Sequence, residues 1–277
     1  MPPRTSNIAE MADRHRRTTT VTFIAEPTAD ELFAPIVSVD DHALEPAHLF
    51  EGRLPARLAD RAPHVRHDDD GLPWWHVEDK RMPILFANGA AGRVMEEWKG
   101  ASLCRYEEFR PSVSDPVARL HDMDVAGVWA SLNFGSTLWG FAGSRFARMK
   151  DTELGLASLR AYNDWMIDEW CATDRTRFIP CQLPWLADPE VAADEIRRNA
   201  ARGVRAVSFS ENPEGLGWAS LYSGAWDPFF AACAETGTVV NLHVGSSGRT
   251  ANPSHDSPPE VIAALFPMSG IETVVDW

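Results

Sequence analysis

Five short apolar runs, joined by stretches with helical signals, predict an α/β chain built on a parallel sheet. The runs lie near residues 36–41, 128–132, 178–183, 204–209 and 238–244. They are continuous rather than alternating, as strands buried on both faces require. Each run after the first is preceded by a helical stretch, which is the pattern of repeated β-α-β units. A length of 277 residues suits one large domain of this class and allows a core without disulfides.

The elements follow in order. Residues 1–34 are polar, with a threonine run at Thr18–Thr20, and read as a mobile extension. Pro35 to His42 is a β-branched run closed by three ionisable residues, Asp40, Asp41 and His42. From Ala43 to Ser114 the pattern is irregular and broken by Pro46, Pro55, Pro63, Pro73 and Pro83, with a turn signal at Asp68–Gly71. That stretch is too long for a loop and reads as an insertion, 43–114, packed over one end of the domain. Its Trp74-Trp75 pair reads first as core and second as part of a lid.

Helix signals then alternate with strands. Ser114-Asp115-Pro116 opens one helix and Gly127 closes it. Asp151 to Thr173 reads as a single long helix with Leu159, Tyr162, Met166 and Trp170 on one face. Asp188-Pro189-Glu190 starts the next helix and Gly203 is placed to stop it. Asp227-Pro228 and Gly237 repeat the device. Pro258 to Trp277 reads as helical with a break near Pro267–Gly270.

Composition narrows the partners. With 26 Lys+Arg against 40 Asp+Glu, the net charge is −14, so nucleic acid and anionic membranes are not expected partners. No stretch approaches the ~20 apolar residues of a membrane span, and no apolar segment follows the basic residues near the N-terminus. The four cysteines match no zinc motif and read as free, mostly buried thiols of a reducing compartment. A cytoplasmic location is the expectation.

Alternate residues of a strand share a face, so Asp40 and His42 point together and Asp41 points away. A carboxylate beside an imidazole suits a divalent cation. His243 closes the run Thr238–Leu242 and precedes Gly245-Ser246-Ser247-Gly248, so it also stands at a strand's C-terminal end. Taken singly, each of these residues reads as a strand cap. Jointly they read as two halves of one ligand set. Glu211, after the fourth strand, is the carboxylate placed for proton transfer or substrate orientation. There is no G-x-G-x-x-G or G-x-x-x-x-G-K-[ST] in a strand-to-helix setting and no G-x-S-x-G elbow.

The stretch Ile36-Val37-Ser38-Val39-Asp40-Asp41-His42-Ala43-Leu44-Glu45-Pro46 resembles the opening of the amidohydrolase-related proteins grouped with aminocarboxymuconate-semialdehyde decarboxylase. Leu183-Pro184-Trp185, Asp188-Pro189-Glu190, Val207 to Pro213, Trp226 to Phe230 and Leu242 to Gly248 extend that likeness from about residue 35 to the end. The resemblance implies a TIM (β/α)8-type metal-dependent hydrolase barrel over 35–277, incomplete at about five of eight β/α units, with the insertion after its first strand. It implies one catalytic divalent metal, zinc by expectation with manganese the alternative, held by Asp40, His42 and His243. In the family the first-strand pair is of the H-x-H type; here it is D-x-H. The family's strand-eight aspartate has no counterpart in this sequence.

The activity implied is a metal-dependent carboxy-lyase, decarboxylating a small carboxylic acid without oxidation. A metal-dependent hydrolase of an amide, ester or lactone is the alternative, and an inactive truncated fragment the third. The expected partner is a small-molecule substrate. An open barrel would leave the Thr238–Val244 strand as an apolar edge, so homo-oligomerisation or association is expected there.

Overall fold

The computed structural model describes residues 21–26, 28, 34–94, 97, 103–247, 259–275 and 277. Five strands, β1 (Ile36–Ala43), β5 (Val128–Gly135), β6 (Phe178–Gln182), β7 (Ala206–Phe209) and β8 (Val239–Leu242), form one parallel sheet in the order β1-β5-β6-β7-β8. Five β/α units of a TIM-type barrel are therefore present, at each position where an apolar run predicted a strand.

The main helices between them are α1 (Pro116–Ala126), α2 (Thr152–Trp165), α3 (Pro189–Ala200) and α4 (Asp227–Thr236), and α5 (Pro259–Val275) follows β8. Asp115 caps α1 by accepting from the Val117 and Ala118 amides at 2.8 and 3.2 Å. Gly127 ends it in the left-handed region at φ 71°, which a side chain would disfavour. Asp188 caps α3 in the same way, through the Glu190 and Val191 amides.

The chain divides into two units. The first comprises Met1–Leu138 and Arg160–Ile179. In it β1 runs alongside β5, pairing Ile36 with Val128 and His42 with Phe134, with an irregularity between Ser38 and Asp41. The stretch after β1 carries an antiparallel sheet of its own, β2 (His64–His67), β3 (Pro73–Val77) and β4 (Lys80–Pro83). Asp68 shapes the β2–β3 turn by accepting from the Asp70 and Leu72 amides and from the Trp74 indole. Trp74 and Trp75 are buried. These strands leave little local signal, because they are only four or five residues long and β3 begins, and β4 ends, at proline.

The second unit comprises Trp139–Leu159 and Pro180–Trp277. Its core is aromatic: Phe209 on β7 stacks on Phe229 at 4.7 Å and meets Trp226 edge-on at 4.9 Å. Ala192, Ala193 and Ile196 of α3 are buried in the same cluster. β7 pairs with β8 from Ala206–Val239 to Phe209–Leu242.

Three expectations are corrected. The helix expected over Asp151–Thr173 is α only to Trp165, then makes a π turn over Met166–Trp170 and a 3-10 turn over Cys171–Thr173. The burial of Leu159, Tyr162, Met166 and Trp170 holds across the change, so packing keeps one face inward while the winding shifts. Asp227 is the first residue of α4 rather than its cap; Trp226 holds the cap position without a side-chain bond. α5 runs through Pro267 without the expected break. Proline removes one backbone donor there, and the remaining turns of a 17-residue helix sustain it. Within the segment read as an extension, Phe23 bridges Arg93, and the Ile24 amide donates to the Gly92 carbonyl at 2.8 Å. Residues 1–20, 27 and 29–33 lie outside the described residues. The four cysteines are free and buried, as expected.

Candidate active site

In the first unit, two elements fix the end of β1. The Leu44 amide donates to the Val113 carbonyl at 2.8 Å, and Arg119 of α1 donates to the His42 carbonyl at 2.8 Å. His42 is thereby set at the C-terminal end of the strand, where barrel enzymes place their chemistry. Asp40 and His42 share a face, as the alternation predicted, and His42 Nε2 lies 3.1 Å from Asp40 Oδ1.

The tautomer of His42 follows from its other nitrogen. Nδ1 lies 2.7 Å from the Gly135 carbonyl oxygen. A carbonyl only accepts, so Nδ1 carries the proton and donates. Nε2 is then the acceptor nitrogen of a neutral ring, facing a carboxylate that also only accepts. Two acceptors at this distance are favourable only with a proton or a cation between them. Burial pushes the His42 pKa down, but Asp40 and the Gly135 carbonyl outweigh it and raise the value above the ordinary.

His243 has the same arrangement in the second unit. Its Nδ1 lies 2.8 Å from the Val244 carbonyl oxygen, which again assigns the proton to Nδ1 and makes Nε2 the acceptor. The ring stacks on Phe141 with centroids 3.7 Å apart. A backbone carbonyl on the second nitrogen is how metal-ligating histidines are commonly oriented. In donor chemistry, an imidazole of this tautomer and a carboxylate each suit a divalent cation.

Glu211 stands after β7 and is buried. Its carboxylate accepts from the Ser247 amide at 2.8 and 3.0 Å, from the Ser247 hydroxyl at 2.6 Å and from the Ser246 hydroxyl. The Ser246 amide donates to the His243 carbonyl at 3.0 Å. Glu211 thus ties down the turn that follows His243.

The residue that sequence reasoning missed is Glu45. Its side chain is fully buried. It accepts from the Ser136 amide at 3.0 Å and from the Ser136 hydroxyl at 2.6 Å. Burial pushes its pKa up to about 7 against the pull of those hydrogen bonds. Tyr106 donates to the Glu45 backbone carbonyl at 2.9 Å. Gly135 permits the approach: a Cβ there would stand 2.7 Å from Glu45 Oε1 and 2.1 Å from the Tyr162 hydroxyl. Glu45-Pro46 closes the motif that carried the resemblance, so the position was visible in the sequence, but the burial of its side chain was not.

A parallel sheet of five β/α units defines an α/β chain of the TIM-type fold class. The chain belongs to the amidohydrolase family, whose model matches residues 133–271, half of the sequence. The fold is shared with an amidohydrolase from Mycobacterium avium subsp. paratuberculosis K-10, at 23% identity and TM-score 0.60 over 87% of this chain and 65% of that one. It is shared also with 5-carboxyvanillate decarboxylase from Novosphingobium aromaticivorans DSM 12444, solved with manganese and 4-hydroxy-3-methoxy-5-nitrobenzoic acid. That likeness is at 17% identity and TM-score 0.51, over 89% of this chain and 60% of that one. The chain thus spans 60–65% of the length of these two solved relatives. The expected resemblance to amidohydrolases is borne out by the family model. No curated protein matches the chain. No described helix is long and apolar enough to cross a membrane.

Proposed function

We propose that this chain contributes the metal-holding part of a carboxy-lyase that removes carbon dioxide, without oxidation, from a small aromatic carboxylic acid. The ligands would be one carboxylate oxygen of Asp40 and the Nε2 atoms of His42 and His243. The observation that carries this reading is the facing pair of acceptors, His42 Nε2 and Asp40 Oδ1. The ion, when bound, would supply positive charge to hold a substrate oxygen and stabilise the negative charge that develops as the carbon–carbon bond breaks. Manganese is the first ion to test, because the decarboxylase of the same fold was solved with it; zinc, the sequence expectation, is the second.

The chain's own residues have distinct parts. Gly135 and Val244 present carbonyls that keep both imidazoles in the ligating tautomer. Glu211, expected to serve in proton transfer or substrate orientation, is better supported as the anchor of the His243 turn, since three groups of Ser246 and Ser247 already donate to its carboxylate. The insertion would cover the end of β1, a placement supported by the bond from the Leu44 amide to the Val113 carbonyl, which draws its two ends together beside that strand. The family's description as amidohydrolase favours a second reading, hydrolysis of an amide, ester or lactone.

Metal content and product separate these readings. The purified chain is expected to take up close to one equivalent of manganese. The variants His42→Ala and His243→Ala are each expected to lose it, with unchanged circular dichroism. Carbon dioxide released from 5-carboxyvanillate would support the lyase; turnover of an ester or lactone without carbon dioxide would support the hydrolase. A chain that binds neither manganese nor zinc would sink both.

A further inference from the structure

We infer that Glu45 is a positioning residue for His42, acting through the single peptide group that joins Gly135 to Ser136. The inference rests on His42 being a metal ligand, the reading given above, and assigns a residue that reading leaves unused.

The Gly135 carbonyl and the Ser136 amide belong to one planar unit. Its amide donates to Glu45 at 3.0 Å, and its carbonyl accepts from His42 Nδ1 at 2.7 Å. Rotating that plane to satisfy another acceptor would swing the carbonyl away from His42. Glu45 holds one end of the plane, and the Ser136 hydroxyl, donating to the same carboxyl at 2.6 Å, doubles the grip. The result is a chain from carboxyl to peptide to imidazole, ending at the nitrogen that would meet the cation. Directly bonded carboxylates orient metal-ligating histidines in the same sense; here a peptide group stands between.

Packing alone gives no reason for a carboxyl at this position. A fully buried carboxyl is expensive unless its hydrogen bonds are made, and an apolar side chain of similar size would fill the space at less cost. Gly135 is kept clear for the contact, since a Cβ would collide with Glu45 and Tyr162. Backbone, glycine and acid thus converge on one peptide plane.

The test replaces the acceptor and then restores it. Glu45→Leu removes it at similar volume; Glu45→Gln keeps an oxygen for the Ser136 amide. Two quantities are read in each: the ring-nitrogen shifts of His42 by nitrogen-15 NMR of the metal-free, histidine-labelled chain at pH 9, and the Kd for manganese. The wild type is expected to show Nδ1 protonated. Glu45→Leu is expected to shift His42 toward the Nε2-protonated form and to weaken manganese binding by about tenfold or more, the range seen for such supporting groups. Glu45→Gln is expected to stay within about threefold of wild type and to keep the tautomer. Should the leucine variant not fold, Glu45→Asp replaces it with the same expectation, because its shorter arm withdraws the acceptor. Wild-type tautomer and affinity in the leucine or aspartate variant would overturn the inference. Loss of the tautomer in the glutamine variant would overturn it as well, by showing that charge rather than the acceptor matters. If the wild type binds no manganese, the metal reading fails, while the tautomer measurement still decides the role of Glu45.

Discussion

The chemistry at the end of β1 turns on which nitrogen of His42 carries a proton, and the nearest determinant of that is a carbonyl from another strand, Gly135. Glu45 carries a second consequence at this scale. Its pKa is raised from 4.5 to about 7 by burial, opposed by the Ser136 bonds. Between these values the native state keeps a proton that the unfolded chain has released, so stability falls as pH rises through that window. The cumulative loss is on the order of a few kcal/mol, present in full above the folded pKa and absent below the unfolded one. Urea midpoints measured from pH 4 to pH 8 are expected to show this decline in the wild type and a flatter profile in Glu45→Gln. Equal slopes in the two would show that Glu45 titrates normally.

At the scale of elements, local signals explain most boundaries. Asp115 and Asp188 are caps because an aspartate oxygen reaches amides two and three residues on, and a proline at the first helical position needs no partner. Asp188→Ala is expected to lower stability by about 1 kcal/mol, read as a shift in the denaturation midpoint with unchanged slope. No loss would mean that α3 is held by its buried Ala192, Ala193 and Ile196 alone. Where boundaries were missed, distant packing decided them. The π turn at Met166–Trp170 keeps Met166 and Trp170 inward, and the Trp170 indole donates to Asn133 on β5 at 2.9 Å. That bond lies 37 residues away in sequence and leaves no local mark.

For the molecule as a whole, the sheet ends at β1 on one side and β8 on the other among the described residues. Both strands show β-branched side chains to solvent: Val39 is 69% exposed and Val239 60%. Apolar edges of this kind pair with other chains. The 277-residue chain is therefore expected to self-associate, and Val39→Lys with Val239→Lys to reduce association by placing charge on both edges. Light scattering after size exclusion measures it; a monodisperse wild-type monomer would contradict the expectation.

The positions of the five strands, the capped starts of α1 and α3 and the placing of Asp40 with His42 on one face were determined by sequence alone, because each depends on residues within a few positions of one another. The antiparallel sheet after β1, the burial of Glu45 and the bonds from Ser246 and Ser247 to Glu211 were decided by tertiary structure. Those depend on which backbone groups are brought beside a side chain from far along the chain. Desolvation and hydrogen bonding at such points set both the shifted pKa of Glu45 and the tautomer of His42, and neither is encoded in the local pattern.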